Sequence, residues 1–403
     1  PSLDFPAVSK QALSKARQFI SPSLFKELFY LSVRSVLQPV SFPQSLAWVP
    51  SFCIDGSKIE LPTLLPILNS FGEMFGYPDL PDALPWDLPI VYDVLDDYIV
   101  HASFHRYLAS ERAAAMEHLK NLESLNIYHD SIVIFDRGYY SENFFRYCVE
   151  HGHLCLMRLK EEYHLAKKCS GDVLTFLPGN SKDGTSNIDV RVIEVTLDDG
   201  TKEYLATNFF DPLITQANVS GPLFSSLAGE TKYKELKSRL SLEEFSGATT
   251  VSVFQEFFIN MLLSNLASLI KNKQYEELHN FAPAVPINTG ISQPCFRDRT
   301  HETHPAQNPM QHPNTFFVDQ LFQDSLRCRS QIMPGRAFRR KKSKTKGRTH
   351  FNNQKAAFDH HFLYFFMRLT TALLKCACFC LASFRPDFIQ DFFEYAILAP
   401  ARL

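Results

Sequence analysis

The chain has 403 residues, of which 45% are hydrophobic and 21% charged, and a net charge of −2. Its length allows two or three domains, and its composition excludes a chain too polar to bury a core. The near-zero net charge argues neither for nor against a nucleic-acid partner, because the distribution of charge decides that question and the sum does not.

In chain order, residues 8–37 read as two helical pieces. The break falls at Ile20-Ser21-Pro22, where Ser21 can cap and Pro22 suits a first helical turn. The pair has the pattern of a small helix-turn-helix, and two packed core helices account for it equally well. Residues 50–62 read as a strand, a turn at Asp55-Gly56 and a second short strand. A Pro-rich, acidic loop follows near residues 77–89. LPIVYDVL and YIVHASFHRY then flank Asp96-Asp97 in a hairpin pattern. Ser110 is placed to cap a helix over ERAAAMEHLKNL. In DSIVIFDRGYY the apolar run Ile132 to Phe135 leads straight into Asp136, the pattern of a buried strand ending in a carboxylate. A helix near 141–151 and a strand over HLCLMRLK complete a mixed α/β sheet with helices packed on it.

Residues 161–222 change character. IDVRVIEVTL and KEYLATNFF alternate around Asp198-Asp199-Gly200, a second hairpin signal. This segment is expected to form a β-rich insertion projecting from the sheet. From Ala228 to about Lys271 the pattern is helical, with Gly247 dividing it into two helices. Residues 276–313, rich in Pro, His, Asn and Thr, read as loop or disorder. Residues 336–348 hold eight Lys or Arg, among them Arg339, Arg340, Lys341 and Lys342, and such a run neutralises phosphates without reading sequence. The last thirty residues read as helical.

Nine Cys at irregular spacing, with no signal-peptide pattern at the start, point to free thiols in a reducing cytoplasm. Cys376, Cys378 and Cys380 read as small hydrophobes in an apolar element. The apolar run Phe362–Phe384 carries Arg368 and Lys375 near its centre, which disfavours a membrane span. His301 and His304 are three apart in a Pro-rich segment, not four apart on a helix as zinc binding of the zincin kind requires.

Three carboxylates stand where sites collect in α/β sheets. Asp55 and Asp136 are expected at strand ends and Glu230 at a helix start. Together they are expected to serve as a catalytic and metal-binding set for Mg²⁺ or Mn²⁺, two ions of which would stabilise the attacking and leaving oxygens of a phosphoryl displacement. Each also has a plainer reading. An Asp before Gly is a common turn residue, and a Glu in a first helical turn complements the dipole. Lys234 and Lys237 lie one and nearly two turns after Glu230 on the same helical face, as phosphate contacts or as a solvated salt-bridged face.

The segments IDGSKIELP, FDRGYYSENFF and ETKYKELKSRLSLEEFSG resemble the DDE transposases of bacterial insertion sequences, closest to the insertion sequence four family. In that resemblance Asp55 matches the first Asp. Asp136, Arg137, Gly138 and Tyr139 match an Asp-Arg-Gly-Tyr motif, and Glu230 with Lys237 matches the Glu-to-Lys spacing. The similarity spans about residues 8–275 and returns at 314–355. It departs at the family signature, where a Tyr position holds Leu223 and an Arg position holds Ser226, with Leu227 at the adjacent aromatic position. A Ser hydroxyl cannot make the bidentate phosphate contact of a guanidinium.

The resemblance implies an RNase H-like mixed sheet flanked by helices. Residues 1–45 would form a helical N-terminal region, with DNA binding as one role. Residues 46–164 and 223–275 would form the catalytic core, 165–222 the β-rich insertion, and 276–403 a C-terminal region bearing the basic run. It implies a metal-dependent transposase acting on double-stranded DNA at insertion-sequence ends. Arg137, Lys234, Lys237, Arg339, Arg340, Lys341 and Lys342 would contact DNA. A homodimer would form on DNA, with no membrane, in the bacterial cytoplasm at the nucleoid. Two other readings stand beside it: a catalytically impaired DNA-binding relative, and a metal-dependent nuclease on the same fold.

Overall fold

The computed structural model describes residues 15–36, 51–61, 67, 84–94, 96–106, 110–125, 131–179, 184–197, 200–211, 232–237, 240, 242–243, 245, 247, 249–281, 287–288 and 330–331. The chain divides into two compact units. One comprises Val36–Glu60 and Pro85–Leu236, the other Pro1–Ser35, Leu61–Leu84 and Lys237–Leu403.

The first of these is built on a mixed sheet. Its strands are β1 (Ser51–Leu61), β2 (Leu84–Asp93), β3 (Ile99–Ala102), β4 (His105–Arg106), β5 (Ile132–Phe135), β6 (Leu154–Leu159), β7 (Asp172–Leu177), β8 (Ile188–Thr196) and β9 (Lys202–Thr207). Among the described residues they run in the order β3-β2-β1-β5-β6-β9-β8-β7, with β4 attached to β2. The pairs β1–β5 and β5–β6 are parallel. The pairs β2–β3, β6–β9, β9–β8 and β8–β7 are antiparallel. This mixed α/β order, with helices between its strands, is consistent with the expected RNase H-like core. β5 sits at its centre with all four residues buried, which is why it reads as an unbroken apolar run. Each such side chain contributes roughly 1.5–3 kcal/mol by leaving water.

Local signals position the helices. Ala113 N donates to Ser110 Oγ (3.4 Å) at the start of α2 (Glu111–Ser124). Phe144 N donates to Ser141 Oγ (3.2 Å) at the start of α3 (Glu142–Glu150). Buried His118 on α2 meets His101 on β3, Nδ1 to Nδ1 at 2.5 Å, one ring donating and the other accepting. The β2–β3 hairpin turns through Asp97, whose φ of 64° is left-handed. The β8–β9 hairpin turns through Gly200, whose φ of 83° suits a residue without a side chain.

Several expectations need correction, and the loop expected near residues 77–89 gives way to β2 from Leu84. Asp55-Gly56 is not a turn, since β1 continues as one strand from Ser51 to Leu61. Its pairing with β5 runs from Ser51 to Ile54, and the Asp-Gly pair just beyond stays in extended strand backbone. The expected insertion is β structure, but it does not project. β9 is hydrogen-bonded to β6, with Leu156 opposite Thr207 and Leu159 opposite Tyr204, so β7–β9 extend the same sheet. The segment also contains a short helix, α4 (His164–Lys167). Alternation reports that a strand has two unlike faces, and it says nothing about which sheet that strand joins. Here Ile193, Val195 and Leu205 pack with Ile132, Ile134 and Leu156 in one buried cluster.

In the other unit, α1 (Pro22–Val36) begins at the expected Ser21-Pro22 break. Of the earlier helical piece only residues 15–17 are described as helix, so most of the helix-turn-helix expectation lies outside the described residues. A short helix, α5, covers residues 232–237 and belongs to the first unit apart from Lys237, while the long α6 (Thr250–Phe281) belongs to the other; the described residues between the two helices, Gly247 among them, are not helical, as expected. Thr249 and Ser252 cap α6 reciprocally: Ser252 N donates to Thr249 Oγ1 (3.2 Å) and Thr249 N to Ser252 Oγ (3.1 Å). A Cβ on Gly247 would stand 2.1 Å from Ser252 Oγ, so the cap requires glycine there. Arg17 pairs with Glu256 at 2.7 Å, and Gln255 Nε2 donates to the carbonyls of Arg17 (2.9 Å) and Ile20 (2.6 Å). A two-stranded pair, β10 (Ile287–Asn288) with β11 (Ser330–Gln331), interrupts the region expected to be loop. Among the described residues no helix is long and apolar enough to cross a membrane.

Arg146 on α3 ties the far strands to the core. It is buried and donates to the carbonyls of Ser186 (2.6 Å), Leu177 (3.2 Å) and Pro178 (2.5 Å) at the β7–β8 connection. Three charge-assisted bonds and the packing of a buried side chain are lost together, so Arg146→Ala is expected to lower stability by about 3 kcal/mol. Urea unfolding measures it as a lower midpoint at unchanged slope.

Candidate active site

Two of the three expected carboxylates are brought together by strand register. β1 and β5 pair with Ser51 opposite Ile132 and Ile54 opposite Phe135, an offset of 132 − 51 = 81 residues. Asp55 and Asp136 differ by the same 136 − 55 = 81, so each is the next residue after the last pair. Adjacent strands lie about 4.8 Å apart, which leaves the two aspartates neighbours at one end of the parallel pairing. Buried Cys53 lies close enough to feel both. Burial first, then the charges of Asp55 and Asp136, push its thiol far above the ordinary range. Cys53, Cys148, Cys155 and Cys169 are all free thiols.

The backbone around each aspartate is held. Asp55 Oδ1 accepts from Gly56 N at 2.8 Å. The Asp55 carbonyl accepts from Tyr233 Oη at 2.7 Å. After Asp136 the chain turns, with Tyr139 N donating to the Asp136 carbonyl at 3.0 Å. Arg112, near the start of α2, clamps that turn by donating to the carbonyls of Tyr139 (2.9 Å), Gly138 (3.3 Å) and Tyr140 (3.2 Å).

Glu230 lies outside the described residues, but the helix two residues after it is anchored. Lys232 is 1% exposed and donates to the Asp97 carbonyl (3.0 Å) and Oδ1 (3.1 Å). Its ammonium also stands 5.6 Å from the Tyr92 ring centre. Tyr92 Oη donates to Asp97 Oδ1 at 2.6 Å, and burial, then Asp97, raises its pKa. With Tyr233 on Asp55, two successive side chains of α5 fasten it to the β1 strand and the β2–β3 turn.

A further carboxylate, Glu203, absent from the sequence expectations, completes the local electrostatics. The β5–β6 register has the offset 154 − 132 = 22 and so sets Arg158 beside Asp136, 158 − 136 = 22. Arg158 Nη1 donates to Asp136 Oδ1 at 2.7 Å, and Nη2 donates to Glu203 Oε1 at 2.8 Å. Arg137 Nη2 donates to the same Glu203 oxygen. Glu203 is 4% exposed, whereas Asp136 is 49% exposed. Burial works to raise the Glu203 pKa. The hydrogen bonds from Arg137 and Arg158 outweigh it, so the carboxyl titrates below the ordinary Glu range.

The expected phosphate contacts fall in three places. Arg137 is committed to Glu203. Lys234 is an exposed residue of α5, and Lys237 pairs with Glu243 at 3.1 Å. Arg339, Arg340, Lys341 and Lys342, together with Leu223, Ser226, Leu227, Cys376, Cys378, Cys380, His301 and His304, lie outside the described residues. Among the described residues no group of three or more His, Cys, Asp or Glu is placed to hold a metal ion. Asp55 and Asp136 offer hard oxygen donors suited to Mg²⁺ or Mn²⁺. They fit as two members of a carboxylate set, with one Asp136 oxygen already engaged by Arg158.

No protein-family model and no curated protein matches the chain. Among solved structures it is similar to a piggyBac transposase, in a cryo-EM structure of its synaptic complex with hairpin DNA. The identity is 9% and the TM-score 0.37, over 56% of this chain and 48% of that one. The chain thus spans about half the length of that neighbour.

Arg158 left one trace in sequence, a lone cation inside the apolar strand LCLMRL. Glu203 left none, because KEYLAT alternates as any half-buried strand does. Glu203→Gln, which strands two guanidinium groups, is expected to cost about 3 kcal/mol at neutral pH. A depressed carboxyl stabilises above its unfolded pKa of about 4.3 and loses that contribution as pH falls through the lower folded value. The stability gap between the unchanged protein and Glu203→Gln is therefore expected to be flat from pH 7 to about 5 and to close below about 4. Denaturant titrations at each pH measure it.

Proposed function

We propose that this chain is a DDE-type DNA transposase, hydrolysing phosphodiesters at insertion-sequence ends and transferring the freed strand to a target on an RNase H-like core. The observation that carries the reading is the β1–β5 register, which makes Asp55 and Asp136 neighbours at one end of a parallel pairing. Such a pair suits phosphoryl transfer, where positioning and charge stabilisation supply most of the catalysis. Mg²⁺ or Mn²⁺, when bound, supplies stabilisation of the attacking and leaving oxygens.

In the proposed reaction Asp55 and Asp136, with Glu230 as third carboxylate, would hold the divalent cations that offset the charge of the scissile phosphate. Water attacks the phosphorus and the 3′-oxygen leaves, taking up the proton that the water loses; that 3′-hydroxyl then attacks a target phosphodiester, its oxygen bonding to phosphorus as the P–O bond to the target's own 3′-oxygen breaks and that oxygen takes up the proton. Lys232 and Tyr233 hold the α5 backbone close behind Glu230. Lys234, Lys237 and the basic run 336–348 bind DNA phosphates. The partner is double-stranded DNA, bound by a homodimer.

A second reading, an impaired DNA-binding relative, is favoured by Leu223 and Ser226 at the signature positions. One assay separates the two: Mg²⁺-dependent nicking of a duplex carrying the insertion-sequence end. Asp55→Asn and Asp136→Asn are each expected to abolish nicking while leaving DNA binding within about twofold, since neither residue makes the sequence-independent phosphate contacts. Full nicking by either variant would sink the transposase reading. Leu223→Tyr with Ser226→Arg is expected to raise nicking. Silence of the repaired chain, folded and DNA-bound, would favour the impaired relative.

The basic run gives a separate outcome. Replacing Arg339, Arg340, Lys341 and Lys342 with Ala is expected to reduce the log–log salt slope of DNA binding by up to about 3.6, at about 0.9 per phosphate contact. An unchanged slope would exclude the run from the interface.

A further inference from the structure

Asp136 directly follows β5, and Glu203 lies on β9, the second neighbour of β5, with β6 between them. Arg158 on β6 spans that gap, one nitrogen on each carboxylate. The two acids are not equivalent. Asp136 is half exposed, while Glu203 is almost wholly enclosed. Both guanidinium groups that reach Glu203, from Arg137 and Arg158, use the single oxygen Oε1. The second oxygen, Oε2, is buried and accepts no hydrogen bond among the described residues. A buried carboxylate oxygen without a donor is costly, and a planar guanidinium beside it has the fork geometry to use both oxygens at once.

We propose that Glu203 is a positioning residue that gives Arg158 two seats, one bridging to Asp136 and one with both nitrogens on Glu203, and so regulates access of a divalent cation to Asp136. In the bridging seat Arg158 occupies Asp136 Oδ1 and opposes cation binding at the Asp55–Asp136 pair. In the other seat Arg158 Nη1 leaves Asp136 and donates to Glu203 Oε2. Only hydrogen bonds exchange; no covalent bond or proton moves. Glu203 keeps the released cation beside the site, where it can meet a phosphate oxygen. The inference rests on the proposed role of Asp55 and Asp136 as a cation-binding pair, and it adds the residue that sets how readily that pair is available.

The test is Mn²⁺ affinity of the full chain, without DNA, by electron paramagnetic resonance of free Mn²⁺. Removing the competitor with Arg158→Gln is expected to tighten binding about tenfold, a modest part of the interaction of unit charges near 4 Å. Removing the second seat with Glu203→Gln leaves Arg158 on Asp136 and is expected to weaken binding about tenfold. In the Arg158→Gln background the same Glu203→Gln change is expected to alter affinity less than about threefold, because Glu203 acts through Arg158. A purely structural or long-range role for Glu203 would give the same loss in both backgrounds and would overturn the proposal. So would an Arg158→Gln variant that binds Mn²⁺ no more tightly than the unchanged chain. Should Glu203→Gln not fold, Glu203→Asp, whose shorter side chain withdraws from Arg158, replaces it in the same cycle. Asp136→Asn separates the two levels. If it leaves affinity unchanged, the cation-site reading fails and this inference with it. If it abolishes binding while Arg158→Gln has no effect, the inference alone fails.

Discussion

The parallel pairing of β1 with β5, Ser51 opposite Ile132, is the constraint on which the site depends. A slip of one residue in that ladder would send Asp55 and Asp136 to opposite faces, because side chains alternate with a period of two. The pairing is secured from the β5 side. All four β5 residues are buried, and β6 continues the parallel ladder beyond it. Two neighbouring polar anchors then hold the ends. Arg112 grips the turn after Asp136, and Tyr233 grips the carbonyl of Asp55.

Around that pairing the charges alternate in space: Asp136, Arg158, Glu203, Arg137. The arrangement has a physical reason. A buried carboxylate such as Glu203 is tolerated only with partners that offset its desolvation, and two guanidinium groups do so here. The same arrangement places a cation on one of the two aspartates, so the structural and functional demands on Arg158 are coupled. The strands β7–β9 matter to the site for this reason. They lengthen the sheet, and β9 also supplies the carboxylate that holds Arg158.

What could be read from the sequence, and what could not, follows from the range of each interaction. Asp136 was legible because Ile132–Phe135 form an apolar run that must be buried, and the residue ending it is a carboxylate. Ser110, Ser21, Gly200 and Gly247 were legible because caps and turns are local. Asp55-Gly56 was misread as a turn because the pair has turn composition, while the extended backbone there is imposed by neighbouring strands. The β-rich segment was recognised as β, but not as part of the central sheet. Its alternation carries no information about the β6–β9 ladder. Arg158 with Glu203, and Lys232 with Asp97, join residues 45 and 135 positions apart, and no local pattern links them.

The most direct test of the account is a crystal structure of the full chain soaked in Mn²⁺, with data collected at the manganese absorption edge. The account predicts an anomalous peak between the Asp55 and Asp136 carboxylates, within about 2.2 Å of an oxygen of each, as hard-cation coordination requires. Carboxylates pointing to opposite faces of the sheet, or manganese bound only elsewhere, would contradict it.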